Sequence, residues 1–172
     1  MDEKSEARAI EMSQRIVASN PFSSLRGVDR SPDFWPWPQW YSDVVMKLDV
    51  INVADPILYL TSSLATDRVA GGEVFALTDG LALHVEVDDV KNDHGQVKLT
   101  VWSRAELKEL KILQADNPGA FDVAKGGDVP MLSLELQYAE RDEIRLPFGS
   151  SVRSERTLGK IYPDLLRDLG RG

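Results

Sequence analysis

The sequence predicts an α+β protein: an antiparallel sheet of about five to seven strands, a meander plus a hairpin, with helices before it and one helix after it. Three observations carry this. Residues 37–51 and 154–169 repeat apolar side chains at helical spacing. Residues 72–104 and 131–148 instead alternate apolar and polar side chains, the period of half-buried strands. Short turns separate the alternating stretches, so neighbouring strands run antiparallel.

Residues 3–19 are rich in helix formers, but their apolar stripe (Ala7, Ile10, Ile16, Val17) is incomplete, which predicts a peripheral or partly frayed helix. Asn20-Pro21 ends it, because the residue before proline is pushed out of the α region. Residues 1–34 are thus expected as a peripheral helix and loop beside a single α+β domain, 35–172. Trp37, Trp40, Tyr41, Val44, Val45, Leu48 and Ile51 share one helical stripe, with Pro36 or Pro38 in the first turn, where the missing N–H costs nothing. Trp35 precedes the stripe. Asp55-Pro56 stops this helix, and residues 56–68 fit either a second helix or a strand.

Thr78-Asp79-Gly80-Leu81 carries the Asp-Gly pair of a type I′ hairpin turn, whose central residues both need positive φ. Val74 and Ala76 then share a face with Leu83 and Val85, and Phe75 and Leu77 share the other with Ala82 and His84. For the next pair, Leu81–Asp88 with Val97–Arg104, matching apolar and charged residues sets Val85 opposite Val101, Val87 opposite Leu99, Asp88 opposite Lys98 and His84 opposite Trp102. Ser103 and Glu106 have capping-box spacing, so residues 103–110 begin as a helix, which Lys111-Ile112-Leu113 either finish or leave as a strand. Leu132, Leu134, Leu136 and Tyr138 then line one face of a strand. Pairing Leu136 with Ile144 sets Glu135 opposite Arg145. Leu158, Ile161, Tyr162, Leu165, Leu166 and Leu169 predict the last helix, with Pro163 expected to kink or restart it. The element order matches two known architectures in topology alone: a pleckstrin-homology-like (PH-like) barrel, and a secretion-chaperone-like fold of helix, three strands, helix, two strands and helix. No diagnostic motif of either occurs.

Composition excludes several chemistries. The 172 residues contain no cysteine, which removes disulfides, thiolate nucleophiles and cysteine metal sites and fits a reducing cytoplasm. No stretch reaches the roughly 18 apolar residues of a membrane span, and the N-terminus lacks the apolar core of a secretion signal. A net charge of −8 opposes nucleic acid and anionic membrane, although residues 141–172 carry 7 basic and 5 acidic side chains. No nucleic-acid, membrane or cofactor interaction is expected.

Candidate sites are few. His84 lies mid-strand; as a base it needs an orienting carboxylate, and Glu86 is the nearest on its face. Asp88-Asp89 and Asp93-His94 suggest a cation loop, but counting from Asp89 the third position is Lys91, which breaks the EF-hand pattern, so no metal is expected. Neither a phosphate-binding glycine motif nor a G-x-S-x-G serine motif occurs. Ser151, Arg153 and Arg156 form a possible anion site at the start of the last helix, where capping alone is the plainer reading.

Two functions follow as expectations. One is a non-catalytic, acidic, cytoplasmic interaction protein (adaptor, chaperone or inhibitor) that presents the face of Phe75, Leu77, His84 and Trp102 to a protein partner. The alternative is a small-molecule-binding protein or enzyme with a pocket between sheet and helix near His84 and Trp102. A pocket reached by His84 favours the second; an open aromatic face favours the first.

Overall fold

The helical stripe beginning at Trp37 does form a helix, α2 (Gln39–Ala54), and Pro38 precedes its first turn. It buries Trp40, Tyr41, Val44, Val45 and Leu48, as the spacing predicts. The computed structural model describes residues 3–20, 25, 37–65, 70–91, 94–116, 131–139, 143–148 and 152–170; Trp35 lies outside them. Helix α1 (Glu3–Ser19) was expected at the periphery, yet it sends Ala9, Met12 and Ile16 into the same core. The sequence stripe misplaced its buried face, because Ser13 is also turned inward, where its hydroxyl hydrogen-bonds the Tyr41 hydroxyl at 3.0 Å.

The strands are β1 (Tyr59–Ser62), β2 (Gly72–Leu77), β3 (Leu81–Lys91), β4 (His94–Ser103), β5 (Leu107–Asp116), β6 (Met131–Tyr138) and β7 (Ile144–Leu146), followed by α3 (Val152–Leu169). They build two open antiparallel sheets, ordered β1-β2-β3-β4 and β5-β6-β7. Among the described residues no sheet closes, so the PH-like barrel does not form. The secretion-chaperone order also fails, because a strand stands where that fold has its middle helix. Residues 59–62 settle as strand rather than helix.

Ser103 does cap, accepting a hydrogen bond from the Ala105 N–H at 3.3 Å, but only one 3-10 turn follows (Arg104–Glu106) before the chain extends into β5. Backbone pairing with β6 outweighs the local helical spacing of Leu107 and Leu110. Pro163 sits within a continuous α3.

Between β2 and β3 the register is the predicted one: Val74 opposes Val85 and Phe75 opposes His84. The turn chemistry differs, since neither Asp79 nor Gly80 has a positive φ. Asp55 shapes this turn instead: its Oδ2 accepts hydrogen bonds from Thr78 Oγ1 at 2.5 Å and the Gly80 N–H at 3.4 Å. Positive φ is required just before β2, at Gly71 (φ +126°), where a Cβ would lie 2.5 Å from the Val87 carbonyl oxygen.

The β3–β4 register is displaced by two residues from the expected one. Leu83 opposes Val101, Val85 opposes Leu99, Glu86 opposes Lys98 and Ala82 opposes Trp102. A bulge between Asp88 and Lys91, with Asp89 at φ +51°, brings the chain back sooner than a five-residue loop would. A two-residue displacement keeps every side chain on its face, so the apolar pattern cannot detect it. The β6–β7 register is as predicted, with Glu135 opposite Arg145.

Both faces of the four-stranded sheet are covered. Helices α1 and α2 cover one, over Val74, Ala76, Leu83, Val85 and Val87. The β5–β7 sheet and α3 close over the other, burying Tyr59, Phe75, Leu77, Ala82 and Trp102 with Leu134, Leu136, Leu158 and Leu165. Arg104 pins this second layer: its guanidinium donates to Asp168 Oδ2 on α3 at 2.8 Å and to the Thr78 carbonyl at 2.8 Å.

Candidate functional site

Across β2, β3 and β4 the second face is built in rows. Leu77, Ala82 and Trp102 form the innermost row, then Phe75, His84 and Thr100, then Glu73, Glu86 and Lys98. Polarity therefore rises in one direction along the same strands. The second sheet covers the apolar end, and a cavity of about 400 Å³ opens where its cover gives out. Glu73, His84, Glu86 and Trp102 form one wall; Glu143, Ile144, Arg145 and Phe148 form the other. The Phe148 N–H donates to Thr61 Oγ1 at 3.0 Å, which ties the end of β7 to the first sheet.

His84 is the centre of this arrangement. Its Nε2 lies 2.9 Å from Glu73 Oε2. That hydrogen bond holds the Glu73 carboxyl below its ordinary value, with burial opposing it and the imidazole charge adding to it. An ionised carboxylate only accepts, so Nε2 carries a proton and donates it to Glu73. The imidazole is stacked against Trp102, with centroids 6.3 Å apart and planes 20° apart, and Trp102 is stacked in turn on Tyr138 at 5.6 Å. Phe148 meets the imidazole at 6.4 Å. An acidic partner and aromatic neighbours thus fix the ring's tautomer and orientation.

The carboxylates differ in their outer partners. Lys98 Nζ lies 3.4 Å from Glu86 Oε2, so this buried oxygen is ion-paired but has no hydrogen bond among the described residues. Glu143 accepts from Lys111 Nζ at 2.8 Å, and Lys111 also donates to buried Glu135 at 2.9 Å. Arg145 donates to Glu135 at 2.8 Å. These two cations hold the Glu135 carboxyl below the usual range.

Of the residues singled out from sequence, Phe75 and Leu77 are fully buried and belong to the core, while His84 and Trp102 reach the cavity at 9% exposure each. The cavity lies between the two sheets rather than between sheet and helix, because α3 packs mainly on β6 and β5. The carboxylate paired with His84 is Glu73, not Glu86. The predicted β2–β3 register already held that signal, since Glu73 opposes Glu86 and is therefore diagonal to His84. Glu143, Ile144, Arg145 and Phe148 come from a distant hairpin, and no local pattern announces them.

Ser151 and the Arg153 side chain lie outside the described residues, and Arg156 sits half-buried on α3. Asp93 also lies outside them, and Asp89 forms an ion pair with Lys91 at 2.8 Å. Among the described residues no three His, Asp or Glu side chains are grouped to hold a metal ion, and no helix is long and apolar enough to cross a membrane. No protein-family model, curated protein or solved structure matches the chain.

Proposed function

We propose that this protein binds a small organic molecule in the cavity between its two sheets, with His84 as the directional hydrogen-bonding group. One observation supports this above the others: a nearly buried, carboxylate-paired histidine lines a cavity of about 400 Å³ with aromatic and charged walls. That volume falls in the range of known small-ligand sites, roughly 300–1,000 Å³. The adaptor reading needs an open face at Phe75, Leu77, His84 and Trp102, and none of the four is more than 9% exposed.

A binding site does not make the protein an enzyme. An imidazole oriented by a carboxylate is part of a general-base apparatus, but the reading requires no reaction. The test is a fragment screen followed by NMR on protein with labelled histidine and tryptophan. Saturable shifts at His84 and Trp102 are expected for at least one fragment class, together with their loss in His84→Ala. Fragments that shift only surface signals, or none, would defeat the proposal.

A further inference from the structure

We propose that the ligand of this cavity is an alkylammonium group, a protonated amine on a short carbon chain; this rests on the cavity being a ligand site. The argument begins with hydrogen-bond polarity. Ionised Glu73, Glu86 and Glu143 can only accept, and the Nε2 proton of His84 is already directed at Glu73. His84 is about nine-tenths buried, against Trp102 and Phe148. Glu86 Oε2 is likewise buried and without a hydrogen bond. Arg145 is the one cationic donor on the wall, and its Nε is committed to Glu135. A ligand that satisfies this wall must bring donors. An ammonium head brings three and no acceptor.

Charge points the same way. The cavity wall carries three carboxylates against one guanidinium, and the lysines that partner Glu86 and Glu143 are not part of its lining. A carboxylate or phosphate ligand would meet like charge from both sheets, whereas a cation would meet opposite charge from both. Ile144, Phe148 and Trp102 supply the apolar surface for the carbon chain. Glu73 and Glu86 face each other directly across β2 and β3, a like-charge pair that His84 and Lys98 moderate only from its flanks. An ammonium at that point relieves it.

The ammonium can belong to a free amine or to a lysine side chain, and both share this chemistry. Titrations use n-butylammonium, n-butanol and butyrate at constant ionic strength, read by the His84 and Trp102 signals. A fourth arm uses N-acetyl-lysine amide. Saturable binding of n-butylammonium is expected, with at least roughly tenfold weaker binding of butanol and butyrate, a factor equal to about 1.4 kcal/mol. Glu86→Gln and Glu143→Gln should each weaken the ammonium several-fold. Glu11→Gln, an equal charge change on α1 beyond the opposite face, should leave it unchanged. Comparable binding of the lysine amide assigns the head group to a protein side chain; binding of n-butylammonium alone assigns it to a free amine. Either supports the proposal. If butanol or butyrate binds and n-butylammonium does not, the cation inference falls while the cavity remains a ligand site. If none of the four shifts these signals, the cation inference falls as well. The fragment screen then decides the cavity reading separately.

Discussion

The two faces of the four-stranded sheet are made by the same strands and have opposite designs. Under α1 and α2 three successive rows of β2, β3 and β4 are apolar: Ala76, Leu83 and Val101; Val74, Val85 and Leu99; Gly72, Val87 and Val97. On the other face the rows pass from Leu77, Ala82 and Trp102 to Glu73, Glu86 and Lys98 within three steps. A uniformly apolar face sets no internal boundary to burial, although its β4 edge is open at Val101, 44% exposed. A graded face specifies where burial stops, and there a cavity with both apolar and charged walls becomes possible. The covering layer leaves the cavity at the boundary because burying the charged row of Glu73, Glu86 and Lys98 further would cost more than the apolar contact returns.

The largest expected effect tests the inner end of the gradient. Phe75→Ala removes a fully buried ring and should lower stability by about 3–5 kcal/mol in urea unfolding. Lys98→Ala, at the outer end of the same face, should change it by about 0–1 kcal/mol, as expected for an exposed ion pair. Similar losses at the two positions would mean that the gradient is not energetic.

A comparable effect is expected at the pin that holds the second layer. Arg104 and Asp168 are both buried, so Arg104→Ala leaves a carboxylate without its cation and should cost about 3–5 kcal/mol. Replacing both, Arg104→Met with Asp168→Leu, should recover most of that loss, because the desolvation of both charges disappears with them. A double variant as unstable as the single one would show that the contact to the Thr78 carbonyl, not the ion pair, carries the effect.

Much of this contrast was legible in the sequence, and what was missed has a physical pattern. The hairpins at Asp79-Gly80 and at Leu136 with Ile144 were read in register, because short connections and matched pairs leave little freedom. The β3–β4 displacement was invisible, since two residues preserve facing and an extra residue at Asp89 changes only the return path. Strand β5 was read as the start of a helix because its bulges break the alternation that marks a strand. Phe75, Leu77 and His84 share the expected face of β2 and β3, and Trp102 of β4 joins it two residues out of the expected register, but what covers this face has no local signal. Its cover is a hairpin some sixty to seventy residues later, and periodicity carries no information on contacts at that separation.

The smallest effect, and the most specific to the graded face, concerns pH. Glu73 is held below its ordinary carboxyl value of 4.5 by the hydrogen bond from His84. The charged groups around it are His84 and Glu86 from β3, with Glu143 and Arg145 from the second hairpin. Because the folded state lowers this pKa, the unfolded chain binds the proton more readily. The contribution of Glu73 is therefore fully present above about pH 5 and is lost as pH falls through the depressed folded value. The stability gap between wild type and Glu73→Gln should be flat near neutrality and close on acidification, as measured by urea unfolding from about pH 7 to about pH 3. In a His84→Gln background the same substitution should produce no closing gap, because the hydrogen bond that sets the shift is gone. A gap that stays constant into acid would mean that Glu73 carries no shift, and one that still closes without His84 would place its origin elsewhere; either dissociates Glu73 from the histidine at the centre of the cavity.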